Sequence, residues 1–550
     1  MASKYQVLEC ESREPMRRRR LTSLIVGTLF ALCFAGCEQQ TEPRNSKWRI
    51  DVGPDRGPAD ASMDVGPDGG PADASEDVTE DPEGPIWPSE GAGPRRTFRA
   101  PVTGPTDPEV LWSQENGEAF KIEEERLRPY LETEAPSDAL RVADATVTST
   151  GAIVFLSAPR ETHQDADELS LTVRRLDPEG MPTWSRRLPV DPIRIDVSAD
   201  DLPTRLGAIA LVDDSRVAVR SANKTWSLDV ETGQTLSVQE MFLGDLEGPN
   251  AEADEVAVDP WRGDEIITSV AAGNFGGSED QWLYKTQVSV FSPTAMPNGP
   301  TLTTNSGDEF PQHIPLSPLI SRPSSGQVFA REMVNKSDPE DIVRSSVVTE
   351  SPNNPSWKTK LARSAPEPSD EVACTQLVAA SQSRVFLFAG YGETEDHLFG
   401  AVSIQDGDLL WARTVSELPI QHTNVKIPDI AIDPQGRPVF GYGNELIAFD
   451  HDGTVRWTKD MPGQRFVAQQ SMAMDSDGTL YVANLSDKHL IRGFDTQGNQ
   501  LFKTSLPEDW TDPHLLAMGK DGTLILEALK IEYAGDQANV TSRIFALGDR

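Results

Sequence analysis

Residues 430–457 read IAIDPQGRPVFGYGNELIAFDHDGTVRW, and the same grammar returns twice further on, as MAMDSDGTLYVAN from Met472 and LAMGKDGTLIL from Leu516. Each copy opens on an apolar alternation, passes through a short polar turn containing glycine and resumes as a second apolar stretch. Aspartate hydrogen-bonds its own turn backbone and glycine takes the positive-φ position, so each copy reads as a β-hairpin. With Gly436, Gly478 and Gly522 as equivalent turn positions, the copies recur after 42 and 44 residues. That period is the one expected of four-stranded propeller blades.

Outward from this stretch the hairpin motif recurs at Val256-Ala257-Val258-Asp259 with Ile266-Ile267. A second motif sets an aromatic four residues after a turn glycine: Gly180 and Trp184, Gly407 and Trp411, Gly453 and Trp457, Gly498 and Phe502. An even spacing within a strand keeps these rings on one face, where each is expected to pack against the neighbouring blade. Repetition blade by blade spreads the rings around the molecule and opposes a shared ligand-stacking role.

Blade starts near residues 142, 206, 256, 316, 373, 428, 472 and 515 predict an all-β propeller of eight four-stranded blades. The alternative count is seven, with the proline- and serine-rich 293–323 as a long inter-blade loop. The last copy stops one strand short, since Ile544 to Asp549 match the third-strand residues Ile447 to Asp450. The missing strand is expected from Glu109-Val110-Leu111-Trp112-Ser113, a closure that removes exposed sheet edges.

The 550 residues include 87 acidic and 50 basic side chains, a formal net charge of -37. No phosphate-neutralising stripe is available, so nucleic acid is excluded as a partner, as is a polybasic membrane patch. Four cysteines (Cys10, Cys33, Cys37, Cys374) build neither a disulfide framework nor a zinc cluster. Cys374, beside Val372 and Ala373, reads as a small buried residue in a strand.

Arg17 to Arg20 precede an uncharged apolar run of 14 residues, Leu21 to Phe34, too short to span a bilayer. Phe34-Ala35-Gly36-Cys37 resembles the lipobox of bacterial lipoproteins, although Phe34 departs from the aliphatic residue usual there. The resemblance implies removal of residues 1–36 and diacylglycerol on the Cys37 thiol, hence attachment to the cell envelope through the N-terminal lipid. Glu38 in the following position implies sorting to the outer membrane. Met16 would give a signal of ordinary length, an alternative start to Met1. Residues 37–96 then form a stalk with a 13-residue repeat, DVGPDRGPADASM followed by DVGPDGGPADASE. Proline, glycine and mutually repelling aspartates predict a disordered, extended tether ahead of the propeller at 97–550.

Ala473-x-Asp475-x-Asp477-Gly478-Thr479-Leu480-Tyr481 and Ala448-Phe449-Asp450-x-Asp452-Gly453-x-x-x-Trp457 resemble the repeats of quinoprotein-like (PQQ-type) β-propellers. The match is good over 373–550 and degraded over 140–370. That family includes quinoprotein alcohol dehydrogenases and the propeller lipoprotein of the outer-membrane barrel-assembly machinery. A dehydrogenase would imply PQQ on the propeller axis, a Ca²⁺ held by acidic and amide side chains, a catalytic aspartate and, in many members, a disulfide of adjacent cysteines. Here no cysteines are adjacent, and no base or calcium ligand falls on a matching motif.

The seven histidines (His163, His313, His397, His422, His451, His489, His514) are scattered singly, and His451 and His489, beside turns, read as solvated. No catalytic residue, cofactor site or metal ligand is therefore assigned, and Cys37 is the one site residue, as lipid acceptor. The expected function is a monomeric, non-catalytic module that binds an envelope protein or glycan. A divergent PQQ- and calcium-dependent dehydrogenase is the alternative, and an outer-membrane protein assembly scaffold a third reading. Insertions at 270–282 and 293–323 are the places where the copies disagree.

Overall fold

The computed structural model describes residues 48–49, 99–123, 143–157, 170–189, 208–220, 224–240, 250–259, 265–275, 282–291, 302–305, 320–322, 326–333, 344–349, 358–363, 373–381, 383–391, 397–403, 406–420, 429–461, 472–484, 490–507, 509–535 and 537–550. All of them belong to one compact unit, Trp48–Arg550. The chain is a β-propeller, with a single short 3₁₀ turn, Val415–Glu417, among the described residues.

Residues 430–457 lie within one complete blade. Asp429–Ile432, Pro438–Tyr442, Glu445–Phe449 and Val455–Asp460 form a four-stranded antiparallel sheet in chain order. The described strands make eight antiparallel sheets, seven of four strands and one, blade 4, of five. Blades 1 to 7 occupy 143–189, 208–240, 250–305, 320–363, 373–414, 429–460 and 472–505. Both sheets flanking 293–323 are present: Leu302–Asn305 is the fourth strand of blade 3 and Ile320–Arg322 the first of blade 4. Residues 270–275, expected in an insertion, continue the second strand of blade 3, Glu265–Phe275.

Blade 8 combines the two ends of the chain. Thr511–Met518, Leu524–Ala534 and Gln537–Gly548 supply three strands, and Glu109–Glu123 pairs antiparallel with the last of them as the fourth. The expected closing strand is thus in place, longer than the five residues read from sequence. First strands of successive blades adjoin from blade 5 through 8 and 1 to blade 3, and blade 4 meets the first strand of blade 5. Among the described residues no comparable contact joins blades 3 and 4.

Among the blades whose burial is described, the inner strands are apolar on both faces and each face packs against a neighbouring blade, so the core is layered between blades. One buried cluster runs through blades 7, 8 and 1, a second through 5, 6 and 7, and a third through 1 and 2. The aromatic motif locks the outer strands. A Cβ built on Gly180, Gly233, Gly453 or Gly498 would fall 2.4 to 2.8 Å from the ring of Trp112, Trp184, Trp411 or Trp457 respectively, each ring belonging to the preceding blade. Trp184 Nε1 donates to Val230 O at 2.8 Å and Trp457 Nε1 to Thr496 O at 3.0 Å, while Trp411 stacks on Phe449. Phe502 breaks the pattern and lies over Gly493 of its own blade. Blade 8 offers it no third-to-fourth-strand turn, because its fourth strand arrives from the N-terminal side.

Trp48–Arg49, inside the expected stalk, pairs with the outer strand of blade 4. The rest of residues 37–96, the signal segment and Cys37 lie outside the described residues. Cys374 sits in the first strand of blade 5, opposite Gly390.

Candidate functional site

The aspartates that look most like ligands are committed to turns. Asp433 Oδ1 accepts from the amides of Gln435 and Arg437 at 3.0 and 2.9 Å, and its Oδ2 meets Arg437 Nε at 2.8 Å and Arg456 Nη2 at 3.2 Å. Asp475 Oδ1 accepts from the amides of Asp477 and Thr479. Both carboxylates are buried with each oxygen bonded, so neither offers a free edge to a calcium ion. Among the described residues no three His, Cys, Asp or Glu side chains converge as a metal site.

The second oxygen of Asp475 leads to a feature invisible in sequence. Residues 99–107 form a strap across the first-to-second-strand turns of blades 7 and 8. Ala100 N donates to Met474 O at 2.8 Å, Ser476 N to Val102 O at 2.9 Å, and Gly104 N to Asp475 Oδ2 at 3.0 Å. Tyr481 Oη donates to Asp475 Oδ2 at 3.0 Å. Burial, and then the Asp475 charge, push this phenol well above its ordinary pKa, which keeps it a donor. Asp549 accepts from the amides of Thr106 and Asp107, bonds that hold its carboxyl below the ordinary value.

Two histidines lie inside the fold. His397 Nδ1 shares a 2.5 Å hydrogen bond with Tyr442 Oη, enclosed by Phe388 and Phe399 between blades 5 and 6. His514 faces Glu527 across the blade 8 ladder. Ser542 Oγ donates to Glu527 Oε1 at 2.5 Å, Asn116 Nδ2 to Ser542 Oγ at 3.4 Å, and Arg174 Nη1 of blade 1 to Asn116 Oδ1 at 3.1 Å. His514, Glu527 and Ser542 are almost wholly buried, so this polar row joins two blades and presents no surface to a substrate. Its sequence signal is the glutamate inside the apolar run Leu524 to Ile531. His451, expected solvated, is half-buried and bonded to Arg384 of blade 5. His489 lies outside the described residues.

The accessible departure from the repeat is the far end of blade 8. Its first strand pairs no further than Thr511 opposite Leu529, while the second, third and fourth run on together through Ala534 opposite Gln537 and Gln537 opposite Glu123. Five extra residues at about 3.3 Å each give a tongue projecting about 17 Å. It carries Tyr533, 54% exposed, next to exposed Glu532. Strands alternate in direction, so the tongue leaves the face bearing second-to-third-strand turns, opposite the face crossed by the strap. Its hairpin is closed by Gly535, which lies outside the repeat register, so the recurring turn motif does not mark it.

No family model matches the sequence, and no curated protein matches it. Among solved structures the chain is similar to the Dos1 propeller, at 11% identity over 72% of this chain and 75% of that one, with a TM-score of 0.32. It is also similar to an oligogalacturonate lyase in complex with manganese (9% identity, 81% and 99% covered, TM-score 0.33) and to Kluyveromyces lactis Hsv2 (12%, 60% and 96%, 0.31). Similarities at this level carry no argument about function, and the fold assignment rests on the sheets themselves.

Proposed function

We propose that the chain is an envelope-anchored lipoprotein whose propeller binds a protein or glycan without reacting with it. The observation that carries this reading is the blade 8 tongue: a three-stranded projection, with an exposed tyrosine, on the face away from the strap. An aromatic with a polar tip supplies contact area at small conformational cost, a combination enriched at interfaces. The motif aspartates and tryptophans of the repeats support it from the other side, because they are engaged in turns and blade packing. Lipid attachment at Cys37 through the tether at 37–96 would place this module at the membrane, in the outer membrane by the reading of Glu38.

The test is a photo-crosslinking residue at position 533, compared with one at exposed Leu501 on the rim of blade 7, in intact envelopes. A discrete adduct from 533 and none from 501 is the expected result, and equal diffuse labelling would overturn the assignment of the surface. Mixing the protein from residue 97 onward with PQQ and Ca²⁺ tests the absence of catalysis. Quinone absorbance with dye-linked alcohol oxidation would replace the binding reading with the dehydrogenase one.

A further inference from the structure

The closing strand Glu109–Glu123 is held by a ladder along one edge only, and its register shifts between Val110 and Trp112, near the point where it enters blade 8. An edge strand with an irregular first turn of pairing is where an outer strand frays. In this chain the strap at 99–107 sits directly ahead of that point and is tied to both neighbouring blades. Blade 7 holds it through Met474, Ser476, Asp475 and Tyr481, and Thr103 Oγ1 adds a 3.0 Å bond to Asp477 Oδ2. The third strand of blade 8 holds it through Asp549, just past the last residue of that strand's ladder with the closing strand.

The seat is shaped for this segment. A Cβ on Gly104 would lie 2.2 Å from Tyr481 Oη, and one on Gly522 would lie 2.0 Å from Thr103 O, so the two glycines permit backbone contact on both sides of the strap. Asp475 shows the adaptation. Its counterpart in blade 6, Asp433, has its second oxygen matched by Arg437 and Arg456. Blade 7 carries Thr479 and Leu501 at those two repeat positions. The strap amide of Gly104 and the Tyr481 hydroxyl take the place of the arginines, so removing the strap strips a buried carboxylate of a partner.

We infer that the strap is a latch on blade 8: the closing strand does not separate from that blade until residues 99–107 have left blades 7 and 8. The inference goes beyond the binding role and does not depend on the lipid anchor. It is tested by hydrogen exchange with mass spectrometry on the full chain, comparing wild type with Tyr481→Phe and with Asp549→Asn. Asp549 is exposed, so its variant keeps the test valid if the buried one misfolds.

Both variants are expected to exchange about tenfold faster over 109–116 and 543–548, the effect of losing a hydrogen bond to a charged group, with blade 6 amides at 438–449 unchanged. A second arm works in the opposite sense. Thr103 Oγ1 and Ser476 Oγ are 3.3 Å apart, and the pair Thr103→Cys with Ser476→Cys, once oxidised, is expected to slow exchange over 109–116 below wild type, reversibly with reductant. Unchanged exchange over 109–116 in the oxidised pair, or equal acceleration of every blade in the single variants, would overturn the latch.

Discussion

At the scale of the residue, the repeat converts groups that look chemical into groups that hold a blade in place. Trp411 is buried against Phe449 and against Gly453, whose φ is +77°. Trp411→Ala is expected to lower stability by about 3 to 5 kcal/mol in thermal unfolding, the range for deleting a large buried aromatic. Gly453→Ala drives a methyl into the same ring and strains a left-handed backbone. In a double-mutant cycle its effect is expected to shrink toward the backbone component of about 1 to 2 kcal/mol once Trp411 is alanine. Additive effects would show that the two do not share one contact.

Asp549 gives the pH counterpart. Its folded pKa is lowered first by the Thr106 amide, so its stabilisation is complete above the unfolded value of about 3.9 and is lost as pH falls through the folded one. The melting temperature of wild type should therefore exceed that of Asp549→Asn at neutral pH. The gap should close below about pH 4.

At the scale of the element, the closing strand is the clearest case of a local stretch with a distant partner. Glu109-Val110-Leu111-Trp112 reads as a strand from its own alternation, and the missing strand of the last copy said where it belongs. The pairing of Glu109 with Gly548 and Val110 with Leu547 bears that out. Deleting 105–115 is expected to lower the melting temperature by about 10 °C or more, because it removes both the closing strand's start and Trp112 from the turn of blade 1. An unchanged melting curve would mean that closure adds nothing to the fold. The tongue at the other end of the same strands had no counterpart among the copies, and a repeat reveals only what its copies share.

At the scale of the whole molecule, the strap and the tongue lie on opposite faces, and the proposed lipid anchor is tested apart from both. A Cys37→Ser variant is expected to leave the membrane pellet for the soluble fraction with its melting temperature unchanged, as read by fractionation and thermal unfolding. Retention in the pellet would remove the lipid from the functional reading while leaving the fold intact.

The sequence by itself determined the propeller, the turn aspartates, the glycine-aromatic packing and the strand that completes blade 8, because each is a local pattern repeated at a fixed period. Only the tertiary structure decided the partners of Asp475, the buried row from His514 to Arg174, the strap and the tongue. Those depend on residues hundreds of positions apart meeting in space, as Gly104 meets Tyr481 and Asp475. A period fixes what recurs along the chain, whereas contacts between its two ends are set by how blade 8 is assembled from both of them.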